Sequence, residues 1–195
     1  MRIQAQLDEP LNQWLWIVKF VLIIPHLVVL FFLAIGAILA TVGAFFAVLF
    51  TGKYPRGLFD YNVGVLRWGW RVSFYSYSAL GTDKYPPFSM KPGGYPADLA
   101  VDYPEQLRKG LPLIGWWLLG IPQYAIASAF AGGIGPRFGG VTFVLVFVGV
   151  VVLLFTKKYP KDVFKVIVDL NRWTFRVAAY ALFMTDKYPP FRFEE

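Results

Sequence analysis

The feature that most constrains the fold is a seven-residue segment, T-D-K-Y-P-P-F, which occurs at 82–88 and again at 185–191. An identity of that length within a chain of 195 residues indicates that one structural unit is repeated. We therefore divide the chain into two copies that run in the same order, repeat one at 1–94 and repeat two at 95–195.

The similarity between the copies extends far upstream of that segment. Residues 51–79 align without gaps on 156–184, and L-D-E-P at 7–10 corresponds to V-D-Y-P at 101–104. Each copy thus contains the same succession of segments, and a structure predicted for one copy is expected in the other.

Two long apolar blocks predict a membrane protein. Hydrophobic residues make up 57% of the sequence and charged residues 16%, and the mean hydropathy is +0.52. The excess lies at 14–50 and 111–155, where Lys19, His26 and Arg137 are the only acidic or basic residues. Blocks of that length with so few charges are typical of transmembrane segments.

Each apolar block is long enough for two membrane helices, because about 20 apolar residues span a bilayer. In the second copy the Gly/Pro-rich segment 132–140 predicts a turn, and hence a transmembrane hairpin at about 108–156. By analogy, the first copy predicts a hairpin at about 11–51 that turns near Gly36. A kink is expected in the first helix of each hairpin, at two prolines: Pro25 and Pro122.

An amphipathic segment of helical length follows each hairpin, at about 56–80 and about 161–184. At 100° per residue its polar side chains fall in one narrow stripe, with aromatic and aliphatic side chains on most of the remaining circumference. Spanning the membrane would place two arginines per helix near the midplane, at roughly 2.5–3.5 kcal/mol each. We therefore favour a helix that lies in the interface over a third span.

A short segment with alternating polarity opens each copy, at 3–7 and 99–103. This alternation favours a strand, and the two strands could pair with each other; an extended tether is the alternative. The predicted fold class is an all-α membrane protein of two tandem repeats. Each repeat is a transmembrane helical hairpin followed by an amphipathic interfacial helix, with the N-terminal strand as an option.

The basic residues predict the orientation in the membrane. Lys and Arg are concentrated outside the hairpins, and the two hairpin tips carry Arg137 alone. By the positive-inside rule, both termini and both amphipathic helices face the cytoplasm, in a multi-pass protein of the cytoplasmic (inner) membrane. The net charge of +7 favours anionic membrane lipids as neighbours, whereas no basic domain suggests a nucleic-acid partner.

The paired arginines are the leading candidates for a binding site. Arg67 and Arg71, and in the second copy Arg172 and Arg176, lie one helical turn apart on one face. Planar guanidinium groups bind phosphate through paired hydrogen bonds, so an anionic lipid head group is the expected ligand. General attraction to a charged membrane, together with ion pairs to nearby aspartates, is the alternative.

The segment T-D-K-Y-P-P-F is interpreted as a helix terminator that anchors in the interface. Consecutive prolines stop a helix, tyrosine is favoured at the membrane boundary, and lysine can meet lipid phosphates. A docking motif for a membrane protein partner is the alternative. The residues concerned are Asp83, Lys84 and Tyr85 and their counterparts Asp186, Lys187 and Tyr188.

Lys19 and His26 raise the alternative of a small transporter or channel. Ionisable side chains within membrane segments commonly mark a proton or substrate path. The second copy, however, has Trp116 and Gln123 at the equivalent positions, and Lys19 is close enough to a helix end to reach the interface. Transport is therefore the second interpretation.

Signals of an enzyme are absent from the sequence. The chain has no cysteine and one histidine, which excludes disulfides, thiolate chemistry and Cys-based or His-rich metal sites. The carboxylates lie outside the apolar blocks without a spacing that suggests acid–base chemistry, and no nucleotide-binding motif occurs. We predict no catalytic residues, no metal site and no cofactor.

A family resemblance rests on T-G-K-Y-P-R-G-L-F-D-Y-N-V-G-V-L-R-W-G-W-R-V-S-F-Y at 51–75, on T-D-K-Y-P-P-F, and on the elements V-D-Y-P-E and I-P-H. In these motifs the sequence resembles a family of bacterial membrane proteins, domain-of-unknown-function family 4389. It covers nearly the whole chain as two copies, although F-D-Y-N-V-G becomes F-K-V-I-V-D at 164–169. The resemblance implies an integral membrane protein and no particular activity. The expected function is a non-enzymatic accessory or scaffold protein that binds anionic lipid or a membrane partner complex.

Overall fold

The computed structural model describes residues 1–131 and 140–190, and most of these residues are helical. Helix α4 is π-helical and the other helices are α-helical. The elements in chain order are β1 Arg2–Ala5, α1 Leu15–Leu22, α2 Ile24–Thr51, α3 Arg56–Tyr75, β2 Ala97–Ala100, α4 Leu111–Leu119, α5 Ile121–Ala131, α6 Val141–Thr156 and α7 Lys161–Ala181.

The first apolar block forms α1 and α2, which are joined by Ile23 in a helical backbone conformation. The hairpin predicted at about 11–51 is therefore wrong. Helix α2 continues through Gly36, where the turn was expected. A lone glycine does not end a helix, and this one allows close packing instead. A Cβ at Gly36 would collide with the hydroxyl of Tyr61, which donates to the Leu33 carbonyl at 3.1 Å. The chain reverses at Gly52, whose φ of 71° suits glycine.

Helix α3 returns antiparallel along α2. Asn62 Nδ2 donates to Thr41 Oγ1 at 3.1 Å, and further along α3 Trp68 Nε1 donates to His26 Nδ1 at 3.0 Å. Because later residues of α3 meet earlier residues of α2, the two helices form the long antiparallel pair of the first copy.

The prolines interrupt the first apolar helix of each copy, as predicted. Ile23 separates α1 from α2, and Pro25 lies in the first turn of α2, where its missing N–H forfeits no helical hydrogen bond. In the second copy Gly120 separates α4 from α5, and Pro122 again lies in the first turn.

In the second copy the apolar block is divided among α4, α5 and α6. The predicted hairpin tip at 132–140 falls almost entirely outside the described residues. Ala127 of α5 packs against Trp173 in the C-terminal half of α7. Gly149 of α6 lies against Tyr159, just before α7 begins. Helices α5 and α6 therefore both run along α7, as α2 runs along α3.

The optional strands exist and join the two copies. β1 and β2 pair antiparallel with Gln4 opposite Asp98, and Trp70 Nε1 of α3 donates to the Gln4 carbonyl at 2.9 Å. The second strand begins at Ala97, slightly before the predicted segment at 99–103. Pairing between the copies is confirmed.

The amphipathic helices form the centre of the molecule. Trp70 of α3 meets Phe175 of α7 with ring centroids 5.4 Å apart, and Phe74 meets Phe164 at 6.0 Å. Within the polar stripe of α3, Arg67 and Arg71 are covered by β2 and by the linker at 76–96, whereas Arg56 and Asp60 remain exposed. The prediction that the stripe faces lipid head groups is therefore wrong for Arg67 and Arg71.

Both amphipathic helices end a few residues before the predicted positions. Helix α3 ends at Tyr75 rather than near 80, because Ser76 takes an extended conformation. Helix α7 ends at Ala181 rather than near 184, and Phe183 then adopts a positive φ of 60°. Both ends precede the repeated segment.

Within the described residues, one helix is long and apolar enough to cross a membrane: α2, at Ile24–Thr51. Helix α6 is also apolar but shorter. A second span in the first apolar block is excluded by the continuous α2, whereas the multi-pass placement and the cytoplasmic side of the termini stay predictions.

Candidate functional site: one arginine pair in each copy

The repeated segment of the first copy folds back onto its own unit. Thr82 is buried, and its Oγ1 donates to Asp8 Oδ2 at 2.8 Å. Asp83 accepts a hydrogen bond from the backbone N–H of Asn12 at 2.5 Å. These contacts connect the end of α3 to the residues that precede α1, so the segment closes the unit.

The predicted anchor residues of this segment have different surroundings. Lys84 is exposed and lies 3.2 Å from Asp8, whereas the Tyr85 hydroxyl donates to the Leu22 carbonyl at 3.0 Å. In the second copy Asp186 lies 3.5 Å from Arg108, Lys187 is exposed, and the Tyr188 ring lies 5.9 Å from that of Tyr180. Anchoring or docking by these residues stays a prediction.

Lys19 is buried and bound by the repeated segment. Its Nζ lies 2.9 Å from Asp83 Oδ1 and donates to the Thr82 carbonyl at 2.6 Å, and it also lies 4.7 Å from the centre of the Tyr75 ring. All of these partners belong to the first copy, and they hold α1 against the segment that follows α3.

His26 and Gln123 hold equivalent positions and make the same contact with a tryptophan. Trp68 Nε1 donates to His26 Nδ1 at 3.0 Å, and Trp173 Nε1 donates to Gln123 Oε1 at 2.8 Å. Gln123 Nε2 also donates to the Pro189 carbonyl at 2.7 Å, within the second repeated segment. The His26 ring stacks on Phe88 of the first repeated segment, with centroids 3.9 Å apart.

The arginine pair of the first copy binds the carboxylate of Asp98. Asp98 Oδ1 lies 3.0 Å from Arg67 Nε and 3.3 Å from Arg71 Nη2. Arg71 is only 1% exposed. Burial lowers the pKa of Arg71, and the Asp98 carboxylate opposes that shift.

Backbone carbonyls complete the site of the first copy. Arg67 donates to the carbonyls of Leu99 at 2.8 Å and Met90 at 2.7 Å, and Arg71 donates to those of Ser89 and Gly93, each at 3.3 Å. Strand β2 thus supplies the carboxylate and one carbonyl, and the bent linker before it supplies the other carbonyl acceptors.

The arginine pair of the second copy opens onto a pocket of about 600 Å³. Arg172 and Arg176 line it together with Tyr95, Pro96 and residues 1–6, which include all of β1. Arg172 is 23% exposed and pairs with Asp169 one turn earlier, at 3.1 Å. Arg176 Nε donates to the Arg172 carbonyl at 3.3 Å.

The two sites differ at one alignable position of the strands. The alignment of 7–10 with 101–104 continues upstream and places Gln4 at the position of Asp98. These two residues also lie opposite each other in the two-stranded ribbon formed by β1 and β2, called the strand ribbon below. The second arginine pair therefore faces a strand that carries a neutral amide where the first pair finds a carboxylate.

Sequence reasoning identified the four arginines but missed Asp98, their partner in the first copy. The interaction joins residues from different copies, and it depends on the pairing of β1 with β2. The alignment of Gln4 with Asp98 was the available signal, since one member of the pair is charged and the other is not. No group of three His, Asp or Glu residues that could hold a metal ion occurs within 1–131 and 140–190.

Comparison with known proteins identifies a family. The sequence profile described as "Domain of unknown function (DUF4389)" matches residues 13–90 and again residues 115–192. No curated protein matches the chain. No solved structure matches it either. Because the two matches cover most of the sequence, the protein belongs to the DUF4389 family and contains two tandem copies of its domain.

Proposed function

We propose that this protein is a non-enzymatic, membrane-associated accessory protein that binds an acidic segment of a partner protein in the pocket beside Arg172 and Arg176. The contrast between the two arginine pairs carries the proposal. In the first copy the pair binds Asp98, whereas in the second copy it lines a pocket of about 600 Å³ beside the neutral Gln4.

The first copy indicates what kind of ligand suits such a pair. There the arginines bind one carboxylate and several backbone carbonyls, which come from β2 and from the bent linker before it. A partner segment of the same chemistry would meet the same donors in the second copy. Among the described residues β1 pairs with one strand, β2, so its second edge is suited to an added extended segment.

The charge of the pocket also favours an acidic ligand. Arg2, Arg172 and Arg176 line it, and partial counter-charges come from Asp102 and Asp169 through their ion pairs with Arg2 and Arg172. Hydrogen bonds to a charged partner contribute about 1.5–3 kcal/mol each when they are shielded from water. One ligand carboxylate bound by an arginine therefore corresponds to roughly a ten- to hundredfold gain in affinity.

The anionic lipid head group expected from the sequence is less well supported than a peptide. In the first copy the arginines contact β2 and the linker, whereas the apolar helix α2 contacts α3 through Trp68. The arginine faces are thus directed to the strand ribbon rather than to the apolar helices, where lipid chains would lie.

The proposal can be tested by binding of a fluorescent peptide of alternating Asp and Ser to the full chain in detergent micelles at low salt. We expect Arg172→Gln with Arg176→Gln to weaken binding at least tenfold. Gln4→Asp should weaken binding to a similar degree, because it installs the carboxylate that occupies the first site. Circular dichroism would establish that each variant is folded.

A matched control separates the pocket from general charge attraction. Lys53→Gln with Lys158→Gln also removes two positive charges, but from exposed positions outside the pocket, and should change the peptide affinity less than threefold. Equal losses in both double variants would overturn the proposal. So would binding of glycerol phosphate or phosphatidylglycerol nanodiscs in place of the peptide, because the ligand would then be a lipid head group.

The last residues of the chain provide a further discriminating variant. Glu194 and Glu195 are acidic and follow the second repeated segment closely in sequence. If Glu194→Gln with Glu195→Gln raises the peptide affinity strongly, the tail of this chain is the occupant and the partner proposal fails. An unchanged affinity supports an external partner.

A further inference from the structure

The exposed apolar surface is concentrated on the helices of the two apolar blocks. On α2 the exposed large apolar side chains fall within an arc of about 140° at 100° per residue. They occur from Ile24 at its start, through Leu39, to Phe50 at its end. Helix α3, all of which is described, has no exposed large apolar side chain, and α7 has one, Val166. The protein thus presents a long apolar face on one side.

Helix α2 is longer than the hydrocarbon core of a bilayer is thick. Its 28 residues extend about 42 Å at 1.5 Å per residue, while the hydrocarbon core of a bilayer is about 30 Å thick. The apolar face from Ile24 to Phe50 covers about 39 Å of that length, so spanning with the whole face in hydrocarbon would require a tilt of about 40°, at the upper end of the usual range of roughly 0–40°.

Exposed charged groups lie on α3, which runs beside α2, and on the chain that follows β2. Helix α3 runs antiparallel to α2, and the extended chain after β2 then follows α3 back: Leu99 contacts Arg67, and the N–H of Leu107 donates to the Gly52 carbonyl at 2.8 Å. On this side Asp102 is 74% exposed and Asp60 is 56% exposed.

Along the axis of α2, exposed charges lie beside both the first and the second half of the helix. Asp60 belongs to the part of α3 near Leu58, which approaches Gly43. Arg2, 80% exposed, lies opposite Ala100 in the ribbon, next to the part of α3 that meets the start of α2. A bilayer normal parallel to α2 would place the exposed Asp60 at hydrocarbon depth, where charged side chains are strongly disfavoured, and would place Arg2 closer to the membrane surface.

We infer that the protein lies in one leaflet of a bilayer with α2 parallel to the membrane plane. The apolar face of α2 contacts acyl chains, and α3, α7 and the strand ribbon remain on the water side. In this orientation the length of α2 needs no match to the bilayer thickness. This is the arrangement of an amphipathic interfacial element, built here from several helices. The inference is independent of the proposed peptide pocket.

Single-cysteine variants of the full chain test this orientation, because the chain has no native cysteine. Leu27→Cys, Leu39→Cys and Phe50→Cys place spin labels at exposed positions near the start, middle and end of α2. In vesicles of phosphatidylethanolamine and phosphatidylglycerol, the ratio of collisions with oxygen and with a water-soluble nickel complex reports depth. We expect the three labels to lie at the same depth within a few ångströms.

Other results would overturn the inference. A maximum of depth at Leu39, with Leu27 and Phe50 about 15 Å shallower at 1.5 Å per residue, would show that α2 spans the bilayer. Low oxygen collision at all three positions would show that a second copy covers the face.

The water side gives an independent test in sealed vesicles. Asp60→Cys and Asp102→Cys should both react with a membrane-impermeant maleimide from the same side, and protection of either would contradict the orientation. Uniform depth together with a failure of peptide binding would leave this inference intact and would reject only the proposed function.

Discussion

Trp68 donates a hydrogen bond to His26, and the equivalent Trp173 donates one to Gln123, at 3.0 and 2.8 Å. Histidine and glutamine therefore have the same structural task in the two copies: each accepts from a buried indole. This relationship explains why the repeat tolerates an ionisable residue in one copy and an amide in the other.

We predict that His26→Gln leaves the stability almost unchanged, whereas His26→Leu lowers it by about 1–3 kcal/mol. Leucine would leave the buried Trp68 N–H without an acceptor, which costs about that much. Thermal unfolding in detergent, followed by near-ultraviolet circular dichroism, measures both variants. Equal losses in the two variants would contradict the shared role. A pH-dependent ion flux that disappears in His26→Gln would instead support transport.

We predict that Lys19→Met destabilises the protein by roughly 3 kcal/mol, because it removes the positive partner of Asp83 from a mostly buried ion pair. Lys19→Met combined with Asp83→Asn should recover part of this loss, since no unpaired carboxylate remains. Denaturant titration in a mild detergent provides the free energies of unfolding. If the double variant loses more free energy of unfolding than the two single variants lose together, this explanation is contradicted.

We predict opposite effects for alanine at two helical glycines. Gly36→Ala should cost about 1–3 kcal/mol, because its Cβ meets the Tyr61 hydroxyl and overpacks the α2–α3 contact. Gly69→Ala, in α3, should stabilise by about 0.5–1 kcal/mol, because nothing lies within 4 Å of the new Cβ and alanine favours the helix. Both are measured as shifts in thermal midpoint. Tyr61→Phe should relieve Gly36→Ala; no relief would mean that the collision is not the cause.

We predict that Asp8 contributes stability that is lost in acid. The hydrogen bond from Thr82, followed by the hydrogen bond and charge of Lys84, lowers the pKa of Asp8 despite partial desolvation. Since the folded pKa lies below the unfolded value of about 4, the contribution is complete above that value. It disappears as the pH falls through the lower, folded pKa.

Asp8→Asn should therefore unfold at a lower temperature at pH 7 and should lose less of its stability below about pH 4 than the wild type. Asp102→Asn is the matched control, because Asp102 is the repeat counterpart of Asp8 but is exposed. Identical pH profiles of wild type and Asp8→Asn would show that the Thr82 contact does not carry the effect.

Much of the secondary structure was predictable because its signals are local. The breaks at Pro25 and Pro122 follow from the missing backbone donor of proline, and the strands at the start of each copy follow from alternation with period two. The turn expected near Gly36 was wrong for a related reason. Glycine permits a turn, but it equally permits a neighbouring helix to approach closely, and only the position of Tyr61 distinguishes the two roles.

The candidate site was predictable only in part. The spacing of Arg67 and Arg71 placed both on one helix face, yet that face is covered by Asp98 and the preceding linker rather than by lipid. The pocket in the second copy was not predictable from spacing, because it depends on which strand lies against Arg172 and which residue that strand carries.

The amino-acid sequence by itself determined the twofold repetition, the helical segments and the separation of apolar from charged residues. These properties arise from residue types and from periodicities within a few turns of chain. Tertiary structure alone decided which strand residue lies against each arginine pair. Asp98 reaches Arg67 and Arg71 because β2 pairs with β1, and the same pairing places Gln4 near the second arginine pair. Contacts between residues distant in the chain thus make two nearly identical arginine motifs physically different, one closed by a carboxylate and the other beside an open pocket.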